Sequence, residues 1–149
     1  MAFGNSGLYL LNVIDSFDAT QLAIDLSLTS HKLALYNNTK TPNFSSDAAY
    51  SATNEVSGTG WASGGPTIAT VSGSPTLTDS SGAMVYDMND VSAASTTLSA
   101  VRGVIIYADA LAGDNNIIGI TFGADYSTSN GTFGITWSGS GVASIDLTP

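Results

Sequence analysis

The side chains able to do chemistry are few and scattered along the chain. His31 is the single histidine and there is no cysteine. A multi-histidine metal site, a thiolate zinc site, a cysteine nucleophile and a disulfide framework are all excluded. A Ser-His-Asp triad would have to use His31. No Gly-x-Ser-x-Gly elbow holds a serine on a strained turn beside it, so His31 is read as a strand-start or surface residue. Glu55 is the only glutamate, and Trp61 follows it closely. A carboxyl beside an indole can become the acid of a glycosidase. No spacing nominates the second carboxylate, so Glu55 is read as a polar loop residue near an aromatic plug. Asp87-Met-Asn-Asp90 and Asp109…Asp114-Asn115 offer oxygen ligands of the kind calcium takes. They lack EF-hand spacing and a closing bidentate glutamate, and turn-forming Asp and Asn account for them. Gly58-Thr-Gly60 with Gly64-Gly65 has the composition of a phosphate cradle, without the strand-to-helix junction or the following lysine. Asn-x-Ser/Thr triplets at Asn37, Asn43 and Asn130 are chance matches in a chain rich in Ser and Thr. The expectation is a protein that is not an enzyme, with no catalytic, cofactor-binding or metal-ligating residues.

The elements that must carry these residues follow from composition. At 149 residues the chain is one domain, large enough to bury a core. Its formal charge is −9, with only Lys32, Lys40 and Arg102 positive. Nucleic-acid binding is excluded because phosphate neutralisation needs several cations on one face. The acidic surface is also repelled by anionic membranes, so no membrane partner is expected. Charged residues make up 10% of the chain, against about 25% in ordinary domains. Solubility therefore rests on Ser, Thr, Asn and Gly. Glu55 and Gln21 are the only residues of their types, so the usual coating of helix surfaces is missing. Thr, Val, Ile and Tyr suit a pleated surface, which predicts an all-β domain. A hydrophobic fraction of 43% argues against disorder.

The N-terminus has no basic leader region, and Leu8–Ile14 is too short to span a bilayer. Residues 1–16 are read as an N-terminal arm or edge segment, and residues 17–149 as a single β domain. Asp18-Ala-Thr-Gln21 has the form of a helix capping box, whereas Leu22–Leu26 alternates as a strand does. His31–Tyr36 predicts a strand with Leu33 and Leu35 on one face and Lys32, Ala34 and Tyr36 on the other. Asn43–Pro66 is a long, polar, Gly-rich loop of the kind that is often functional. Thr67–Thr78 predicts two short strands broken at Gly73-Ser-Pro75, and Met84–Tyr86 begins another. Thr96–Tyr107 holds consecutive apolar residues, the mark of a central strand buried on both faces. A turn over Asp109–Asn116 leads to Ile117–Phe122. Asn130-Gly131 is a hairpin signal, since both residues tolerate positive φ. Phe133, Ile135 and Trp137 then alternate, and Ser138–Gly141 turns the chain into Val142–Leu147. Such spacing describes an antiparallel β-sandwich or barrel-like fold with long loops and an N-terminal arm. No fixed-period repeat suggests a solenoid or propeller.

Several segments are distinctive in this order: Lys32-Leu-Ala-Leu-Tyr-Asn-Asn-Thr39; Asn54-Glu-Val-Ser-Gly-Thr-Gly-Trp61-Ala-Ser-Gly-Gly65; Asp87…Asp90-Val-Ser92; Gly103-Val-Ile-Ile-Tyr107. Phe122-Gly…Gly131-Thr-Phe-Gly-Ile-Thr-Trp137 and Ile145-Asp-Leu-Thr-Pro149 complete the set. From about Asp25 to Pro149 the chain resembles a family of small virion structural proteins of tailed bacteriophages. The resemblance implies a β-rich particle component, with a head decoration or minor capsid protein preferred. It implies the major capsid protein and further copies of this chain as partners, a trimer suiting many lattice positions. The implied location is the virion, assembled in the host cytoplasm. It carries over no catalytic residues and leaves the first twenty or so residues outside the match. A lattice-binding protein needs aromatic anchors and adaptable loops. Trp61 and Tyr50 in the long loop, and Phe3, Tyr9 and Leu10 in an arm that adds a strand to a neighbour, are the expected interface residues. The alternative is a tail-associated host-recognition or carbohydrate-binding module, in which Trp61, Tyr50 and Tyr126 stack on sugars.

Overall fold

The computed structural model describes residues 3–17 and 22–146. The elements in chain order are β1 (Gly7–Leu8), α1 (Leu10–Phe17), β2 (Lys32–Tyr36), β3 (Glu55–Val56) and α2 (Ile68–Val71). They continue as β4 (Thr76–Ser80), β5 (Ala83–Asp87), β6 (Val91–Ala108), β7 (Asn115–Ile135) and β8 (Ala143–Asp146). The fold is all-β, built from two antiparallel sheets. A five-stranded sheet runs β1-β7-β6-β2-β3 and a three-stranded sheet runs β4-β5-β8.

The continuous apolar run becomes the middle strand of the larger sheet, as its sequence predicts. From Gly103 to Ala108, β6 is buried on both faces, while from Val91 to Leu98 burial largely alternates. Strand β2 pairs with the doubly buried half, Leu33 opposite Ile106 and Leu35 opposite Val104. Its two faces separate as expected. Leu33 and Leu35 join the main core with Val104, Ile106, Trp61 and Tyr86. Ala34 and Tyr36 join a second cluster with Phe3, Tyr9, Ile105 and Tyr107. The larger sheet is therefore covered on both sides, one side by the N-terminal segment and the Phe44–Tyr50 loop.

Three expectations are corrected. Leu22–Leu26 forms no strand. Ile24 and Leu26 pack on the main core from an irregular segment, so apolar alternation here serves a loop rather than a ladder. Ile68–Val71 is a single helical turn, not a strand, burying Ile68 and Val71 one turn apart. Asn130-Gly131 makes no hairpin. Asn130 has φ 49° inside β7, and Gly131 still pairs with Thr96. The tolerance for positive φ that reads as a turn is used by a bulge instead. The hairpin lies between Ala108 and Asn115, at the expected turn, with Leu111 N donating to Ala108 O and Asp114 N to Leu111 O. Residues 1–16, read as an arm or an edge segment, contribute an edge strand to the larger sheet. Among the described residues of this segment only Gly7–Leu8 is a strand, and it pairs with this chain's own β7, Gly7 opposite Gly119 and Leu8 opposite Ile118. The Asp18–Gln21 capping box lies outside the described residues.

Candidate functional site

Helix α1 is built inside out. At 100° per residue, Leu10, Ile14 and Phe17 share one face with Leu11 beside them. Such a stripe normally faces a core. Here Leu10 is 50% exposed, Leu11 40%, Ile14 47% and Phe17 86%. The buried residue of the helix is Asn12. Its Nδ2 donates to Ala48 O and to Asn116 O, each at 2.6 Å. Asn115 Nδ2 reaches its Oδ1 at 3.3 Å, and Ser16 Oγ donates to Asn12 O at 2.7 Å. These bonds fix the rotation of the helix, because turning the apolar face inward would bury hydrocarbon against carbonyls and strand Asn12 in water.

The entry to the helix is equally constrained. Tyr9 N donates to Ile117 O, Leu10 N to Phe44 O at 2.7 Å, and Val13 N to Tyr9 O. Upstream, Thr121 Oγ1 donates to Phe3 O at 2.8 Å and Thr121 N to Ser6 Oγ at 3.0 Å. The Phe44 ring packs on Tyr9 at 5.1 Å and lies over Gly7 and Gly119, where added side chains would meet it. The result is a rigid mount presenting four large apolar side chains.

The expected interface residues separate into two groups. Phe3, Tyr9 and Trp61 are each 1% exposed and belong to the protein's own interior. Trp61 meets Phe133 edge-on at 5.5 Å, so it is a core residue and not an exposed anchor. Burial also pushes the Tyr9 hydroxyl pKa far above its ordinary value, with the Asp47 carboxylate adding to the effect. Tyr50 is half-buried, stacked on Tyr107 at 4.7 Å. It joins Phe3 and Tyr9 on the second face of the large sheet. Of the five, Leu10 alone reaches the solvent as a large exposed apolar side chain. Leu11, Ile14 and Phe17 were not singled out by sequence, although their spacing of one, four and seven from Leu10 is a helical signature.

The candidate chemical groups are occupied in holding loops. Glu55 Oε2 accepts from Tyr50 OH at 2.7 Å and Ser63 Oγ at 2.6 Å, and Oε1 accepts from Gly64 N at 2.6 Å. Tyr107 OH donates to Gly64 O at 2.8 Å. These bonds pin the long loop against β3 and β6. The glycines of that loop allow backbones to touch: a Cβ on Gly58 would stand 2.2 Å from Thr97 O, and one on Gly65 1.8 Å from Leu33 O. His31 is buried, with Nε2 2.7 Å from Asp25 O. Burial holds its pKa below the ordinary value, partly offset by the Asp25 carbonyl and charge. Among the described residues, no cluster of three or more His, Cys, Asp or Glu is placed to hold a metal.

Charge is arranged simply. Each of the three cations is tied to an aspartate: Lys32 to Asp109 at 2.9 Å, Lys40 to Asp47 at 3.5 Å, and Arg102 to Asp125 at 2.7 Å. The remaining surface is neutral or acidic. A second surface feature is an open groove of about 440 Å³ along the outer half of β7, lined by Phe122, Tyr126, Thr128, Thr132 and Phe133 among others. Tyr126 is half-exposed and meets Phe122 edge-on at 6.2 Å. No helix among the described residues is long and apolar enough to cross a membrane. Comparison with family models, with curated proteins and with solved structures gives no match for this chain.

Proposed function

We propose that this chain is a non-enzymatic structural protein of a tailed-phage virion, a decoration or minor capsid protein that binds the head lattice. The observation that carries the reading is the outward apolar face of α1, held in place by Asn12. A contiguous apolar patch mounted on a rigid body is an association surface rather than a reaction site. The side chains that could do acid–base work support the same reading, since Glu55 and His31 are engaged in structural bonds. The residues that resemble phage virion proteins sit where the body is built: in β2, the glycine loop, the doubly buried half of β6, and β7. The patch lies in the N-terminal region outside that resemblance. A shared body with its own docking element suits a decoration protein that must fit one particular lattice.

The test is to locate the chain on purified particles, by copy number relative to the major capsid protein and by antibody labelling. A high ratio with label over the whole head supports the reading. Absence from the particle overturns it. The groove on β7 favours one second reading, a tail module that binds glycans, because half-exposed Tyr126 lines it together with Thr128 and Thr132. A few copies at the tail, with glycan binding lost in Tyr126→Ala, would select that reading.

A further inference from the structure

We propose that α1 is a docking helix for a different protein, one carrying an apolar groove rimmed by Lys or Arg, and not a contact between copies of this chain. The proposal rests on the virion reading for the identity of that partner, a subunit of the particle lattice. It rests on the structure for the partner's chemistry.

The first argument is geometric. Leu10, Leu11, Ile14 and Phe17 are the anchors of a helix-in-groove contact, spaced over two turns on one face. Helix α1 reaches the surface already folded and already rotated, because Asn12 and Tyr9 hold it from below. Little ordering is left for the moment of binding.

The second argument is area. The four side chains leave roughly 400 Å² of apolar surface in water, comparable to the largest patch on an ordinary monomer. Two copies meeting face to face through this patch would bury roughly 800 Å² in total, short of the about 1,200 Å² at which specific pairs become stable. A groove that wraps the helix covers its flanks too and removes the deficit.

The third argument is charge. A second copy brings another net −9, and its three cations are already engaged with aspartates. Asp15 stands on the helix itself, while Asp47 in the supporting loop is paired with Lys40. Copies therefore repel near the patch, whereas a basic rim is attracted. The same acidic flank argues against a lipid surface, whose amphipathic helices carry Lys and Arg on the polar face.

The test places the photo-crosslinker p-benzoylphenylalanine at Phe17 in the full chain, with a control at Thr78 on the exposed strand β4. Particles bearing each version are irradiated, and adducts are identified by their peptides. The expected result is an adduct from position 17 to a second virion protein. Ile14→Asp, whose melting temperature stays at the wild-type value, should lower its yield about tenfold or more. Rebinding to particles should weaken between about 0.05 and about 0.5 M NaCl. An adduct only with another copy of this chain, or none while the chain is on the particle, overturns the inference and leaves the virion reading standing. Capture of lipid from position 17 also overturns it. If the chain is absent from particles, the virion reading falls, and the same irradiation in the producing cell decides the helix. An adduct with one distinct protein, reduced by Ile14→Asp, sustains the inference; a self-adduct or none overturns it.

Discussion

Asn12→Ala should release α1 without unfolding the body. The substitution removes the two hydrogen bonds that a side chain 1% exposed donates, to Ala48 O and Asn116 O, and the longer one it accepts from Asn115 Nδ2 at 3.3 Å. Ala48 O keeps a donor, since Asn116 N reaches it at 2.9 Å. At about 1 kcal/mol for each of the two short bonds, the cost is about 2 kcal/mol. It falls on the docking of the helix, because β6, β7 and β2 hold one another independently of Asn12. Hydrogen exchange is the assay. The amides of Leu10, bonded to Phe44 O, and of Val13, bonded to Tyr9 O, report the docked helix. A loss of about 2 kcal/mol should speed their exchange about 30-fold, while amides in the buried half of β6 stay at the wild-type rate. Asn12→Asp has nearly the same shape but turns acceptors toward both carbonyls, so it should be worse than alanine. Unchanged protection at Val13 in Asn12→Ala, or Asn12→Asp milder than Asn12→Ala, would refute the claim that this amide sets the helix's rotation.

Other substitutions probe the body. Trp61→Ala should cost about 3–5 kcal/mol and lower the melting temperature by roughly 10 °C, because it empties a site in the main core against Phe133; a shift of a degree or two would return Trp61 to the surface. Gly65 and Gly123 have nearly equal φ, 75° and 74°, but a Cβ at Gly65 meets Leu33 O at 1.8 Å while one at Gly123 meets nothing within 4 Å. Gly123→Ala should therefore show only the left-handed backbone cost of about 1–2 kcal/mol, and Gly65→Ala distinctly more; denaturant midpoints compare them. His31 supplies a pH dependence. Its folded pKa lies below the ordinary 6.5 through burial, and buried Nδ1 has no acceptor waiting for a proton. The unfolded chain therefore takes up the proton first. Stability from this residue is complete above the unfolded value and falls as pH drops through it toward the lowered folded value. Urea midpoints between about pH 8 and about pH 5 should show that slope, flattened in His31→Gln.

The parts of the fold legible in the sequence were those where one pattern had one meaning. A run such as Val104-Ile-Ile-Tyr107 is apolar on both faces, and a strand inside a sheet covered on both sides is what it forms. Lys32–Tyr36 alternated into two faces, and both proved buried, in different clusters. The errors fell where one local preference serves two structures. Asn130-Gly131 permits positive φ, which suits a turn or a bulge equally, and only the partner strand decides. The register shifts along β6 and β7 absorb such residues, including Ser95 and Ala100 with φ 55° and 54°. Three of the four residues of Ile68–Val71 are β-branched, yet the backbone is claimed by neighbours: Ile68 N donates to His31 O and Ala69 N to Thr29 O. No periodicity records those distant partners.

The candidate site was partly legible for a reason that applies beyond this chain. Aromatic residues were expected at the interface because interfaces favour them, but cores favour them too, and a Trp in a glycine-rich loop is drawn inward when the loop can fold over it. Glycines at 58 and 65 let the backbone approach Thr97 and Leu33 closely, and Trp61 lies between them in sequence. Residue type therefore could not separate anchor from core. Periodicity could reveal that residues 10–17 have an apolar face, but not the direction of that face. The direction is set by a single amide whose acceptors lie 36 and 104 residues away. A polar residue in a short apolar helix normally marks its solvent side. Where the sheet edge and a loop instead offer carbonyls to be satisfied, the same residue marks the buried side, and the hydrocarbon is left for something else to cover.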